Sequence, residues 1–362
     1  MRKRYVKWLL LGAVPLLLLT IPLSYGWVFG TSFRSIILQP QKTGITTIDF
    51  YDVNRHRPLI TEIWYPIDSD VPAKPASGLW TRCDEARDAP VSAKKEKYPL
   101  ILLSHGNGGD RYTISWIAEI LSANGYIVAS MDHYGNTWNN KIPEYLLRPW
   151  ERPKDIAFIL DQLISHSRFK EKIDAANVGF VGYSLGGATG IWIAGGKIGE
   201  LSSEEISNLC RQEFGDLISQ DILKKTDFSE TLKPYEDPRV KAFFLLAPAL
   251  GNLFDEQSLQ SIRSPIYIIA SERDRIVPLD TNAKRFAAAI RQAQLKILPG
   301  EVDHFVYLNR PSVVGKRFLG RKIWQDPQNI DRKSIHEDIG RTAVSFFKQH
   351  LRHKQRISSA AT

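Results

Sequence analysis

Val178-Gly179-Phe180-Val181-Gly182-Tyr183-Ser184-Leu185-Gly186-Gly187 is the stretch on which the reading of this chain turns. Its first half is short and almost wholly apolar, the pattern of a strand buried on both faces of a parallel sheet. Its second half is glycine-rich and passes directly into a helix. A serine at such a turn sits on a strained bend that points its hydroxyl out of the sheet. The positions two before and two after it must then lack side chains that would collide, and these are Gly182 and Gly186. The plainer alternative is a glycine-rich helix start that packs closely on the sheet.

Outward from this turn, strand and helix alternate. Tyr98 to Ser104, Tyr126 to Met131, Val240 to Leu246, Ile266 to Ala270 and Leu295 to Leu298 read as further buried strands. Helical patterns run from Thr113 to Asn124, Arg152 to Ser165 and His336 to Leu351. Such alternation implies right-handed βαβ crossovers and a doubly wound, mainly parallel sheet. Thr46 to Tyr51 and Leu59 to Tyr65 form an antiparallel opening. The polar stretch from Asp68 to Lys97, rich in Pro and Lys, reads as a surface loop containing Cys83. Insertions at 197–238 and 307–334 leave from the carboxyl ends of strands, where ligands sit in open α/β sheets, and are expected to supply a lid and pocket wall.

A serine hydroxyl is a poor nucleophile near neutral pH, so Ser184 needs a neutral imidazole as base and a carboxylate to orient that imidazole. In this architecture the chain order is Ser, acid, His. Of the eight histidines, His304, His336, His350 and His353 follow Ser184. His304 comes just after the last strand, on a loop at the catalytic edge. His336 opens a helix, and His350 and His353 lie in a basic helix tail. For the acid, Asp274 follows the strand Ile266 to Ala270 within Ser271-Glu272-Arg273-Asp274-Arg275, with Glu272 and Asp255 as rivals and a loop salt bridge as the plainer reading. The oxyanion of a tetrahedral intermediate calls for two backbone N–H donors. Leu185 supplies one, and Asn107 within His105-Gly106-Asn107-Gly108-Gly109 the other. His105 itself precedes the nucleophile and reads as a structural hydrogen-bonding residue.

The first 30 residues stand apart. Arg2, Lys3, Arg4 and Lys7 precede the apolar run from Trp8 to Leu23, the pattern of an export signal that is either cleaved or kept as a membrane anchor. The charge asymmetry keeps that end in the cytoplasm and places residues 43–351 outside it, in the periplasm or held at the inner membrane. Cys83 and Cys210 are either one disulfide or two separate thiols, and they lack the spacing of a zinc site. The net charge of +9 owes much to the export segment and to a C-terminal run with Lys348, Arg352, Lys354 and Arg356, continuing into the tail at 352–362. No nucleic-acid signature accompanies these charges, whereas an anionic lipid surface would attract them.

With these residues placed, the chain resembles the bacterial predicted dienelactone hydrolases and the platelet-activating-factor acetylhydrolase-like esterases of the α/β-hydrolase superfamily. The resemblance rests on Trp64-Tyr65-Pro66, Ser104-His105-Gly106-Asn107-Gly108-Gly109, Met131-Asp132-His133-Tyr134-Gly135-Asn136-Thr137, the turn at Ser184, Leu246-Ala247-Pro248-Ala249 and Asp303-His304-Phe305. It implies an α/β-hydrolase fold and cleavage of carboxylic esters, including short or oxidised acyl chains on lipids, with no metal or organic cofactor. Ser184 stands where dienelactone hydrolases carry cysteine, so that substrate does not transfer. Tyr183 replaces the histidine often found beside the nucleophile, and the acetylhydrolase branch tends to place its acid after the preceding strand. The expected activity is a serine carboxylesterase. Transfer of the acyl group to an alcohol or peroxide by the same triad, and a non-catalytic envelope binding protein, are the alternatives.

Overall fold

The computed structural model describes residues 42–68, 71–214 and 218–351; the export segment and the basic tail lie outside the described residues. Nine strands make one sheet: β1 (Lys42–Asp52), β2 (Arg57–Ile67), β3 (Ala86–Arg87), β4 (Tyr98–Ser104), β5 (Ile127–Met131), β6 (Ile173–Tyr183), β7 (Val240–Leu246), β8 (Ile266–Ser271) and β9 (Ala293–Leu298). Their spatial order is β9-β8-β7-β6-β4-β5-β2-β1-β3. From β5 across to β9 every pairing is parallel. The opening pair β1 and β2 is antiparallel, and β2 joins the sheet antiparallel to β5. This is the α/β-hydrolase arrangement that the resemblance implied.

Helices cover both faces: α1 (Ser115–Ala123), α2 (Glu151–Ser165), α3 (Leu185–Ile193), α4 (Ser203–Phe214), α5 (Ala283–Ala289) and α6 (Arg332–His350). Because side chains alternate across a strand, neighbouring residues feed opposite layers. Leu100, Phe180 and Phe243 pack with Ile159 of α2, Ile191 of α3 and Phe286 of α5. Their successors Ile101, Val181 and Phe244 pack with Ile117 of α1 and Phe347 of α6. The uninterrupted apolar runs of the sequence are therefore what two helical layers require.

Three features depart from the sequence reading. β6 begins at Ile173, ahead of Val178, because Ile173 and Asp174 pair with Tyr98 and Pro99 before the register shifts at Pro99/Leu100; the polar Asp174 and Asn177 hide this extension. α6 begins at Arg332, where the Asp331 carboxylate accepts hydrogen bonds from the amides of Lys333 (3.0 Å) and Ser334 (3.3 Å) and caps the helix. The stretch read as a surface loop, Asp68 to Lys97, contributes β3 to the sheet and buries Trp80. Its Pro and Lys content masks a single aromatic anchor.

Of the two insertions, 197–238 carries α4 and a cluster of Cys210 and Ile218 against Leu146 and Leu147. The 307–334 segment forms two one-turn helices, Gly315–Phe318 and Arg321–Trp324. Cys83 is exposed, Cys210 is buried, and the two are separate thiols. No helix among the described residues is long and apolar enough to cross a membrane.

Phe243 is fully buried between β6 and the outer helices. Phe243→Ala should cost about 3–5 kcal/mol, seen as a lowered urea midpoint with an unchanged slope.

Candidate active site

β6 ends at Tyr183 and α3 begins at Leu185, leaving Ser184 alone to make the turn. Its backbone is at φ 54° and ψ −116°, a conformation that costs a non-glycine residue about 1–3 kcal/mol. Close packing enforces it. A Cβ on Gly182 would lie 2.2 Å from the Gly186 carbonyl oxygen, and one on Gly186 would lie 2.1 Å from the Ser104 carbonyl oxygen. Those contacts are backbone to backbone, so no side chain can move to relieve them. The Ser184 amide donates to Leu246 O (2.9 Å), and its carbonyl accepts from Ala249 N (3.1 Å), which ties the turn to the end of β7.

The structure brings the three expected residues together. His304 Nε2 is 3.1 Å from Ser184 Oγ, and His304 Nδ1 is 2.7 Å from Asp274 Oδ2. The second carboxylate oxygen of Asp274 accepts from the amides of Ile276 (3.0 Å) and Val277 (2.7 Å), so the carboxylate is aimed by its own turn. Neither rival acid reaches the imidazole: Asp255 caps a short helix through Ser258 N, and Glu272 accepts from Gly300 N. Tyr183 donates its hydroxyl to His304 O (3.0 Å), with its ring 5.0 Å from the imidazole. His336 lies within α6, buried and stacked at 4.0 Å on Trp116, with its Nε2 hydrogen-bonded to Val306 O (2.7 Å); it braces the His304 loop from behind.

Of the expected oxyanion donors, Leu185 opens α3, so its amide is among the first N–H groups that lack an acceptor within the helix. Asn107 lines the same cavity as Ser184 and His304. A buried polar network fixes the loop that carries Asn107. Arg152 on α2 donates to the carbonyls of His105 (2.6 Å) and Gly106 (3.1 Å) and to Asn136 Oδ1 (3.1 Å), which also accepts from Gly108 N (2.9 Å). With those carbonyls held by Arg152 and the Gly109 amide donating to Gly106 O (3.2 Å), the loop is fixed at the cavity that Asn107 lines.

Behind that loop lies a second relay of the same three residue types. His133 Nδ1 is 2.9 Å from Asp155 Oδ2, and His133 Nε2 is 2.8 Å from Ser104 Oγ. Burial alone would raise the Asp155 carboxyl, but the Arg57 fork (3.0 and 2.9 Å) and the His133 contact outweigh it and hold the group well below the usual carboxylate range. Burial and the Arg152 charge push His133 down to about 4, so it is neutral, donating from Nδ1 and accepting the Ser104 hydroxyl at Nε2. Burial also drives His105 well down; its Nδ1 donates to Gly106 O and its Nε2 accepts the His133 amide (3.2 Å). Ser104, His133 and Asp155 are all but fully buried, so this relay holds shape and meets no substrate. The sequence reading missed Arg152, Asp155, His133 and Asn136 as site-supporting residues. His133 and Asn136 lay in a noted motif without a role, and the α2 residues looked like the polar face of an amphipathic helix.

A cavity of about 280 Å³ opens above Ser184. Apolar walls come from Leu79, Trp138, Ile276, Phe305, Leu319 and Ile323, and the polar floor from Asn107 and the Ser184–His304 pair. Of the two insertions expected to supply pocket wall, 307–334 does so through Leu308, Leu319 and Ile323, joined by Leu79 and Trp80, whereas no described residue of 197–238 lines the cavity. Among the described residues, no group of three or more His, Cys, Asp or Glu is placed to hold a metal ion.

The sheet order, the turn at Ser184 and the loop after β4 define an α/β-hydrolase fold. A family described as platelet-activating factor acetylhydrolase, isoform II, matches residues 79–140. That span runs from the cavity wall at Leu79 through β4, the Asn107 loop, α1 and β5 to the His133–Asn136 turn. A solved ferulic acid esterase from Streptomyces cinnamoneus superimposes with a TM-score of 0.61 over 90% of this chain and 95% of its own, at 20% identity, a likeness that concerns the fold. No curated protein matches the chain significantly. Together these findings show an α/β-hydrolase fold and, over residues 79–140, a likeness to the platelet-activating factor acetylhydrolase family.

Two outcomes follow for the buried network. The histidines pushed down to about 4 (His133) and about 3 (His336) take up protons near the ordinary 6.5 once unfolded, so the unfolded chain binds more protons and stability falls as pH drops below 6.5. Each contributes up to about 1.4 kcal/mol per pH unit. Denaturation midpoints should fall steadily between about pH 6.5 and about pH 5, and His336→Gln should flatten the slope. Arg152→Met should lower kcat by about 10²–10³ with KM little changed if the loop it holds carries an oxyanion donor; equal kcat would separate Arg152 from that role.

Proposed function

We propose that this protein is a serine carboxylic-ester hydrolase that works through an acyl-enzyme on Ser184. The observation that carries the reading is the continuous Ser184–His304–Asp274 hydrogen-bonded line at the floor of an apolar cavity. In the proposed cycle His304 Nε2 takes the hydroxyl proton as Ser184 Oγ attacks the ester carbonyl. Asp274 holds the imidazole in the Nδ1–H tautomer and stabilises the imidazolium. The amides of Leu185 and Asn107 receive the negative charge that develops on the carbonyl oxygen. Collapse of the tetrahedral intermediate expels the alcohol, which takes the proton from His304. Water, deprotonated by the same imidazole, then attacks the acyl-enzyme and releases the acid.

The cavity volume lies at the lower end of the range for small-molecule sites, which favours a short acyl group over a full lipid tail. The family match supports a lipid ester as the class of substrate. The basic start and apolar run of residues 2–23 support action outside the cytoplasm, at the membrane or in the periplasm.

Hydrolysis of a p-nitrophenyl ester series from acetyl to palmitoyl tests this. Turnover should peak at the short chains and vanish in Ser184→Ala. Asp274→Asn should lose about 10⁴ in kcat, as expected for an imidazole in the wrong tautomer, while Asp255→Asn keeps the parent rate. A folded protein with no turnover on any ester, or one whose turnover survives Ser184→Ala, would overturn the reading.

A further inference from the structure

The outer face of the 310–324 segment is unlike the rest of the described surface. Val313 is 89% exposed and Phe318 74%, the two largest apolar exposures among the described residues, with Val314 at 54% beside them, and the three fall within six residues of one another. Around them, between Asp303 and Asp326, the chain carries Arg310, Lys316, Arg317, Arg321 and Lys322 and no acidic residue, and all five cations are exposed. Exposed apolar side chains interspersed along the chain with exposed cations have the chemistry that an anionic lipid surface binds: the rings and aliphatic groups enter the acyl boundary and the cations meet the headgroups.

This face is held in place. Ser312 N donates to Leu79 O (2.8 Å), Thr81 N donates to Arg310 O (2.7 Å), and Ser312 Oγ donates to Gly78 O (2.6 Å). Gly315 sits so close to that strip that a Cβ would lie 1.8 Å from Leu79 O. Val313 and Phe318 are therefore displayed on a segment whose backbone is fixed at Arg310, Ser312 and Gly315. Leu319 and Ile323 of the same segment line the cavity above Ser184, so the segment that carries this face is also a wall of the site.

We infer that Val313, Val314 and Phe318, with Lys316, Arg317, Arg321 and Lys322, form a docking face for an anionic lipid bilayer that sets the cavity mouth against the lipid. The docking is a property of the surface and does not need the ester chemistry of Ser184. What it adds to the proposed function is the presentation of substrate: esters reach the cavity from the membrane rather than from solution.

The test places an environment-sensitive fluorophore at the tip of this face, in a Cys83→Ser/Cys210→Ser/Phe318→Cys variant of the full chain, with Ser165→Cys at the far end of α2 as the control position. The labelled protein is reconstituted in phosphatidylcholine vesicles with or without phosphatidylglycerol. The inference expects a blue shift and quenching by lipid-borne doxyl groups at position 318 with phosphatidylglycerol only, weakened by added salt, absent at 165 and lost when Lys316, Arg317, Arg321 and Lys322 are all replaced by Ser. Identical spectra in the two lipid compositions, an equal shift at 165, or a shift that survives loss of the four cations would overturn it. The readout is independent of turnover, so an inactive but docking protein would count against the ester reading alone.

Discussion

The approach of α3 to the end of β4, close enough that a methyl group on Gly186 would strike the Ser104 carbonyl, is the constraint on which the site rests. That proximity forces Ser184 into a backbone conformation it would not adopt freely, and the conformation lifts its hydroxyl above the sheet. The two-residue spacing of the glycines around Ser184 is thus a packing requirement with a chemical consequence. The strain is offset by the strand pairings on both sides, with β4 and β7 flanking β6.

The same approach joins Ser184 to the loop after β4, and there the protein places a cluster of deeply buried charges. Arg57 on β2 and Asp155 and Arg152 on α2 lead to the carbonyls of His105 and Gly106. Ionised groups at such depth are stabilising only when each is paired and hydrogen-bonded, and here the Asp155 carboxylate is shared by Arg55, Arg57 and His133. The result is two Ser–His–Asp lines a few residues apart. One faces a cavity with its serine 8% exposed; the other is sealed behind it. In the proposed function identical residue types serve chemistry in the first and rigidity in the second, and access to the cavity is what separates them.

Much of this was legible in the chain. The buried strands could be read because a sheet covered on both faces needs unbroken apolar runs, and Ser184, Asp274 and His304 could be ordered because each follows the end of such a run. What the sequence hid was set by contacts across the fold. Arg152 and Asp155 have the spacing of an ordinary polar helix face, and only the position of α2 under the loop makes them interior. Trp80 is one aromatic residue in a Pro- and Lys-rich stretch, yet it anchors a cavity wall. The insertion at 197–238 announces itself by length, whereas the wall is built by 307–334, a choice that depends on which strand ends the cavity overlies.

The account stands or falls on Ser184 being the activated nucleophile. The most direct measurement is intact-mass and peptide mass spectrometry of the folded protein after exposure to a fluorophosphonate. The account predicts one adduct, on Ser184, formed at a rate that drops by orders of magnitude in His304→Ala. An adduct on another residue, no adduct on the folded protein, or labelling as fast without His304 would contradict it.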